Sequence, residues 1–228
     1  MNNGQIIPKD LVQACVQTFR DPDGMWQKFS LQELASMDGF LRNPQRVWEW
    51  YQHRRRVITS VHPNAGHVAI AKMQDMFPNF TLITQNVDRL HQRAGSRLVI
   101  ELHGNIEENF CVDCHAPFTG EIDLTASAIP CCEECGGLIR PAVVWFGEML
   151  PERALEAAEH AASNCDVFFS IGTSAEVYPA AALPSIAKQR GAILVEINTA
   201  PTALTRAADF VLRGKSGEIL PAVLASLG

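Results

Sequence analysis

No run of about 18 apolar residues occurs in the 228-residue chain, so nothing in it reads as a membrane span. The first residues, Met1 to Lys9, carry no apolar signal core. Together these absences predict a cytoplasmic protein with no membrane partner. Positive charge is not in excess: the formal net charge is -6, which argues against a direct nucleic-acid partner despite the local run Arg54-Arg55-Arg56. There is no Gly-x-Gly before Phe19, and the Gly-x-Gly-x-x-Gly turn of dinucleotide oxidoreductases is missing, which disfavours a plain NAD-linked oxidoreductase. Internal repeats and low-complexity segments are absent as well.

What is present describes an ordinary globular chain, 47% hydrophobic and 19% charged, long enough for one substantial core plus a small satellite module. Its centre is Thr84-Gln85-Asn86-Val87-Asp88-Arg89-Leu90-His91, followed by Glu101-Leu102-His103-Gly104-Asn105. Each stretch follows an apolar run, 80–83 and 98–100, that reads as a buried strand. The carboxyl edge of an open α/β sheet is where ligands bind, and an amide, a carboxylate and an imidazole brought there can hold ribose hydroxyls and move a proton. Singly, an Asp after a strand more often caps the next helix; the combination shifts the reading to function.

Seven cysteines suit a reducing compartment only when they are not disulfides. Cys111-Val-Asp-Cys114 and Cys132-Glu-Glu-Cys135, with 17 residues between the pairs, have the spacing of a structural zinc ribbon. Cys131 with Cys135 is an alternative second knuckle, less suited to the tight turn that Gly136-Gly137 continues; His115 is a further alternative ligand. Cys15 and Cys165 read as buried hydrophobes.

Periodicity predicts helices over 8–18, 31–37, 44–60, 64–76, 151–164 and 180–189, with a turn at 19–24. In the helix over 64–76, Ala65, Val68, Ala69, Met73 and Met76 form the expected buried stripe. Strands are predicted over 80–83, 98–100, 143–146, 167–171, 193–197 and 208–212. This alternation predicts an α/β fold with a parallel sheet flanked by helices.

The chain resembles the sirtuins, NAD-dependent protein-lysine deacylases. The resemblance is carried by 19–26, 84–91, 101–105, the four cysteines, 137–148, 172–179 and 196–198, in the family's order over nearly the whole chain. It implies a Rossmann-like NAD-binding domain (1–22, 78–106 and 141–228), with an inserted helical module (23–77) and zinc ribbon (107–140). NAD and Zn2+ are the implied cofactors, acylated lysine side chains of proteins the implied partners, and a monomer the expected state. By the same resemblance His103 is the general base, with Asn86 and Asp88 also catalytic. Phe19, Arg20, Trp26, Gln85, Asn86, Val87, Asp88, Gly172, Thr173, Ser174, Asn198, Thr199 and Ser216 hold the cofactor, and Val144, Trp145, Phe146 and Gly147 meet the substrate peptide as an added strand.

Tyr51 and Arg54 are three apart on the predicted 44–60 helix and project from one face. They match the Tyr-x-x-Arg pair of the sirtuin branch that removes acidic acyl groups, and a guanidinium with a phenol suits a succinyl, malonyl or glutaryl carboxylate. Arg55 and Arg56 read as a solvated basic face. One departure stands out. Sirtuins place a strand and a Gly-Ala-Gly-x-Ser loop before the Phe-Arg-Asp motif, whereas Leu11 to Thr18 stands here, as though roughly 15 to 20 residues were excised between Cys15 and Val16. The expected consequences are a gap in the sheet, or imperfect filling by 8–18, and weak NAD binding. A binding module that holds acylated peptides without turnover is the alternative function.

Overall fold

A computed structural model describes residues 31–227. The expected helix over 8–18, the turn at 19–24 and the cofactor candidates Phe19, Arg20 and Trp26 lie outside the described residues.

The described residues open with α1 (Leu31–Leu34) and α2 (Met37–Arg42), where one helix over 31–37 is expected. Ser36 makes the break: its backbone is extended (φ -144°, ψ 157°) and its hydroxyl accepts the Gly39 N–H, capping α2. A Cβ on Gly39 would lie 2.3 Å from the Glu33 carbonyl oxygen, so the two short helices turn against each other only over a glycine. Helix α3 (Pro44–Ser60) has its predicted bounds, set by the Asn43 cap and Pro44 in the first turn. It buries Val47, Trp48, Tyr51 and Ile58, together with Arg54 and Arg55. Arg55 is therefore not on a solvated face: it donates to the Ile106 carbonyl (2.7 Å), Gln52 Oε1 (3.0 Å) and Asn109 Oδ1 and stacks on Trp48. Arg56 is exposed, as expected, and donates to the Leu124 carbonyl.

Helix α4 (Ala65–Met76) is opened by a capping box in which Asn64 Oδ1 accepts the His67 N–H and His67 Nδ1 accepts the Asn64 N–H. Strands β1 (Leu82–Thr84) and β2 (Val99–Glu101) pair in parallel, with the short α5 (Leu90–Arg93) between them in sequence. An antiparallel pair, β3 (Gly104–Cys111) and β4 (Ile139–Val143), carries the cysteine knuckles and was not expected from the sequence. Helix α6 (Glu152–Ser163), β5 (Val167–Ile171), a 3-10 turn at Ala180–Ala182 leading into α7 (Leu183–Gln189), β6 (Ile193–Asn198), β7 (Phe210–Arg213) and α8 (Ser216–Leu227) complete the chain.

The α/β class and the parallel pairing are as expected: β5, β6 and β7 form a parallel sheet in that order, and β1 and β2 a second parallel pair. Both pieces share the same cover. On one face Leu82, Ile171, Val195 and Ile197 pack with Ala69, Ile70 and Met73 of α4 and Leu220 of α8. On the other, Ile83, Ile100 and Phe168 pack with Ala158 and Ala162 of α6 and Leu183 and Ala187 of α7. The α4 stripe is consequently not the predicted one. Ile70 is buried while Val68 and Met76 are exposed, because α4 turns its inner face onto α8, a helix that Pro221 and Gly217 hide from sequence reading.

The strand expected over 143–146 ends at Val143. Beyond it Val144 N–H donates to the His103 carbonyl (2.9 Å) and Phe146 N–H to the Ala35 carbonyl (2.8 Å), while Trp145 N–H turns to Glu148 Oε2 (2.7 Å). Arg140 holds this turn. Its guanidinium grips both Glu148 oxygens and the Val143 carbonyl and lies over the Trp145 ring, 3.3 Å from the centroid.

Candidate active site

Four groups of elements deliver the site. The ends of β1 and β2 supply Gln85 to Asp88 and His103; α3 supplies Tyr51 and Arg54; the segment after β4 supplies Val144 to Gly147; and the ends of β5, β6 and β7 supply the remaining polar groups.

His103 sits in the turn between β2 and β3, its Nδ1 3.0 Å from the Gln85 carbonyl. A carbonyl only accepts, so Nδ1 carries the proton and the neutral ring keeps its lone pair on Nε2, the atom that can take a proton. Burial lowers the His103 pKa from its ordinary value, the Gln85 contact opposing, which favours the neutral base. Asn86 is exposed at the rim and its N–H donates to Thr84 Oγ1 (3.1 Å). Asp88 Oδ1 accepts the Leu90 N–H (3.0 Å), so it also does what an aspartate after a strand usually does and caps the next helix. Val87 points inward, in the same core cluster as Tyr51, Val143 and Trp145.

Tyr51 and Arg54 are buried, 2% and 5% exposed, which rules out a solvated basic face for this pair. The Trp145 indole N–H donates to the Tyr51 hydroxyl (2.8 Å). Burial pushes the Tyr51 phenol up to about 12, with the Arg54 charge pulling the other way. Burial also brings Arg54 down to about 10, opposed by Tyr51 and by the Asp88 carboxylate, so Arg54 stays cationic at neutral pH. Its guanidinium lies over Trp50, 5.0 Å from the centroid. A cation facing Asp88, a phenol locked to Trp145 and His103, whose backbone carbonyl accepts the Val144 N–H, are thus tied to the same segment after β4.

At the far rim, Gly172 takes a left-handed conformation (φ 64°) as β5 ends, and a Cβ there would meet nothing within 4 Å, leaving room for a ligand against bare backbone. Gln85 Nε2 reaches Thr173 Oγ1 at 3.5 Å, and Asn198 Nδ2 donates to the Thr173 carbonyl (2.9 Å) while its Oδ1 accepts the Thr199 N–H (2.8 Å). Ser174 follows on the same turn, and Ser216 opens α8 next to Gly66 of α4. These groups offer hydroxyls, amides and a helix N-terminus suited to the ribose and phosphate side of a dinucleotide. The cavity of about 350 Å³ between α3 and the 125–127 turn touches none of them.

The four cysteines converge: all four sulfurs lie within 4.8 Å of one another, with Cys111 to Cys135 at 3.5 Å and Cys114 to Cys132 at 3.6 Å. Thiolates each about 2.3 Å from a tetrahedral zinc stand roughly 3.8 Å apart, so the set fits the metal. It also decides between the neighbours, since Cys131 is exposed and instead bridges to Leu138. Cys132→Ser is expected to lower bound zinc and the melting temperature, while Cys131→Ser leaves both unchanged; metal analysis with a thermal melt checks this, and the reverse order would move the knuckle to Cys131.

A histidine pair near Asp88 escaped sequence reading, although His91 lies in the 84–91 stretch. His67 and His91 stack with ring centroids 4.7 Å apart; burial and then the charge of His67 bring His91 down to about 4, and burial lowers His67 against the pull of Asp88. The spacing of Asn64 and His67 was the available signal, because it is that of a capping box.

The sequence profile described as the Sir2 family matches residues 11–179. An NAD-dependent protein deacylase of Aquifex aeolicus (strain VF5) is 49% identical over 204 residues, 90% of this chain and 85% of the relative. One from Mycobacterium tuberculosis (strain ATCC 25177 / H37Ra) is 46% identical over 221 residues, 94% of this chain and 92% of the relative. Among solved structures, a Sir2 homologue in complex with NAD matches with a TM-score of 0.86 and 43% identity, covering 93% of this chain and 83% of the other. A Sir2 variant with a deacetylated p53 peptide and 3'-O-acetyl ADP-ribose matches with a TM-score of 0.85 and 35% identity, over 92% and 87% of the two chains.

Proposed function

The chain belongs to the Sir2 family, and from that premise we propose that it is an NAD-dependent protein-lysine deacylase whose preferred substrates carry acidic acyl groups. The observation that carries the substrate class is the burial of Arg54 beside Tyr51, a cation kept charged in an apolar wall that also holds Trp145. A desolvated guanidinium with a phenol next to it favours a carboxylate end group, succinyl, malonyl or glutaryl, over an acetyl methyl.

When bound, NAD would supply an activated ribose carbon with nicotinamide as its leaving group, able to take up the acyl group while one water is consumed in freeing the lysine amine. The chain's own residues bind and orient. Gly172, Thr173, Ser174, Asn198, Thr199 and Ser216 hold the adenosine and phosphate side, while Gln85, Asn86 and Asp88 hold the nicotinamide ribose and amide. His103 takes a proton from a ribose hydroxyl at Nε2, the Gln85 carbonyl keeping its ring in the required tautomer. Val144 to Gly147 receives the peptide. The N–H groups of Val144, Trp145 and Phe146 and the Trp145 carbonyl are already engaged within the chain, so the peptide meets a backbone that its own contacts hold in place.

The decisive assay measures nicotinamide released from NAD with a succinyl-lysine and an acetyl-lysine peptide. Release that depends on peptide and is faster for succinyl-lysine is the expected result. Peptide binding without any nicotinamide would instead identify a reader of acylated lysine, and faster acetyl turnover would remove the acidic-acyl assignment.

A further inference from the structure

Glu101, the last residue of β2, and Asn105 flank His103, and their side chains bond to each other. Asn105 Nδ2 donates to Glu101 Oε2 (3.1 Å), so a brace spans the turn in which His103 sits. The other carboxylate oxygen, Oε1, accepts from two residues that follow Asp88: Arg89 Nε (3.3 Å) and Gln92 Nε2 of α5 (2.7 Å). One carboxylate is thereby tied to the turn that delivers Asp88 and to the turn that delivers His103.

This cluster differs from ordinary surface ion pairing. The Glu101 side chain is 17% exposed, whereas Glu107 and Glu108, which pair with the same Arg89, are 41% and 61% exposed and add little. Asn105 is buried, and its Oδ1 accepts the N–H groups of Glu107 (3.1 Å) and Glu108 (2.9 Å), so its amide is fixed at both ends. Arg89 takes a left-handed backbone (φ 56°), which favours glycine. A larger residue keeps that conformation only where its surroundings over-determine it, and here the carboxylates around the guanidinium do so. Backbone bonds fix the ends of the two turns, Leu102 N–H to the Thr84 carbonyl (3.0 Å) and Ile106 N–H to the Val87 carbonyl (2.9 Å). Between those bonds the His103 ring itself reaches across, from Nδ1 to the Gln85 carbonyl. A shift of one turn against the other therefore disturbs the contact that sets the tautomer.

We propose that Glu101 is a positioning residue for deacylation: by holding Asn105 on one side and Arg89 and Gln92 on the other, it fixes the His103 ring relative to Asp88. The inference rests on the proposed function, in which His103 takes a proton from the ribose that Asn86 and Asp88 hold. A misplacement of about 1 Å can cost about 10²-fold in rate. Cofactor binding, by contrast, is spread over many groups at the ends of β5 and β6. Loosening the clamp consequently acts on kcat far more than on KM.

Glu101→Gln in the full chain tests this. The amide keeps the size of the side chain but accepts at only one of its two ends, so one arm of the clamp is lost. The expected result is a fall in kcat of about tenfold or more per folded molecule, with KM for NAD and for the peptide changed by about twofold at most. The second readout is the His103 Nδ1–H signal in nitrogen NMR of the isotope-labelled chain, assigned by its disappearance in His103→Ala. It is expected to exchange faster in Glu101→Gln than in wild type. Either a wild-type kcat per folded molecule or an unchanged ring signal overturns the proposal. Should Glu101→Gln not fold, Arg89→Gly carries the test, because glycine accepts the left-handed backbone while removing one arm. A fall in kcat of about threefold or more with a faster-exchanging ring signal is expected there, and wild-type values of either overturn the proposal. A wild type that releases no nicotinamide removes the proposed function instead. The ring signal then decides the clamp: faster exchange in the variant upholds it, and unchanged exchange overturns it.

Discussion

His103→Ala lowers deacylation by about 10²- to 10⁴-fold, the usual contribution of a positioned general base, with peptide binding little changed. Tyr51 and Trp145, which form the proposed acyl-lysine wall, bond to each other independently of the imidazole. Its pH signature follows from burial. The His103 pKa lies below the ordinary 6.5, so the neutral base persists below that pH, and kcat/KM falls only as the pH drops through the lowered value. Linkage runs in the matching direction: the unfolded chain takes up this proton first, so the contribution to stability is full above about 6.5 and declines as pH falls toward the folded value. A rate profile between about pH 5 and 8 on wild type and variant checks both points. Wild-type nicotinamide release from His103→Ala would place the base elsewhere.

Arg54→Met reduces desuccinylation far more than deacetylation. Methionine keeps an unbranched apolar stem and removes the guanidinium that lies over Trp50, with its charge and its donors. Losing one partner of a desolvated, hydrogen-bonded charge pair costs about 2 to 5 kcal/mol, a fall of roughly 30-fold or more in kcat/KM for an acyl group that carries a carboxylate. An acetyl group has no charge to lose, so its rate is expected to change by about threefold at most. The competing role for Arg54 is visible in the same geometry, because its charge also interacts with Asp88. If Arg54 serves chiefly to set Asp88, both substrates slow equally. Parallel kinetics on the two peptides separate the roles.

How the sequence performed varies by element, and the reasons are physical. α3 was legible to the residue because its signals are local: an Asn cap, a proline in the first turn, an amphipathic run. β5 was equally clear, an apolar run ending in a glycine turn. By contrast, the helix expected over 31–37 ran through the break at Ser36 and α2 was missed, since the cap of Ser36 on Gly39 lies inside a run of good helix formers. α8 was missed because Gly217 and Pro221 are breakers on any local scale, and only its packing against α4 and the sheet outweighs them. β3 escaped for a different reason: it is polar along much of its length, and its pairing with β4 brings together residues far apart in sequence.

The chemistry divides along the same line. Residue order alone determined the kind of site, because the zinc knuckles, the Gln-Asn-x-Asp turn, His103 and the Tyr51 and Arg54 pair are short motifs whose spacing is itself the signal. Tertiary structure decided which side chains are shielded from water and what each one faces. It moved Arg55 from the surface to a buried contact with Ile106 and Asn109, chose Cys132 over Cys131, and set Arg54 against Asp88. Burial and partner choice depend on segments that meet only when the chain has folded, and no local pattern encodes them.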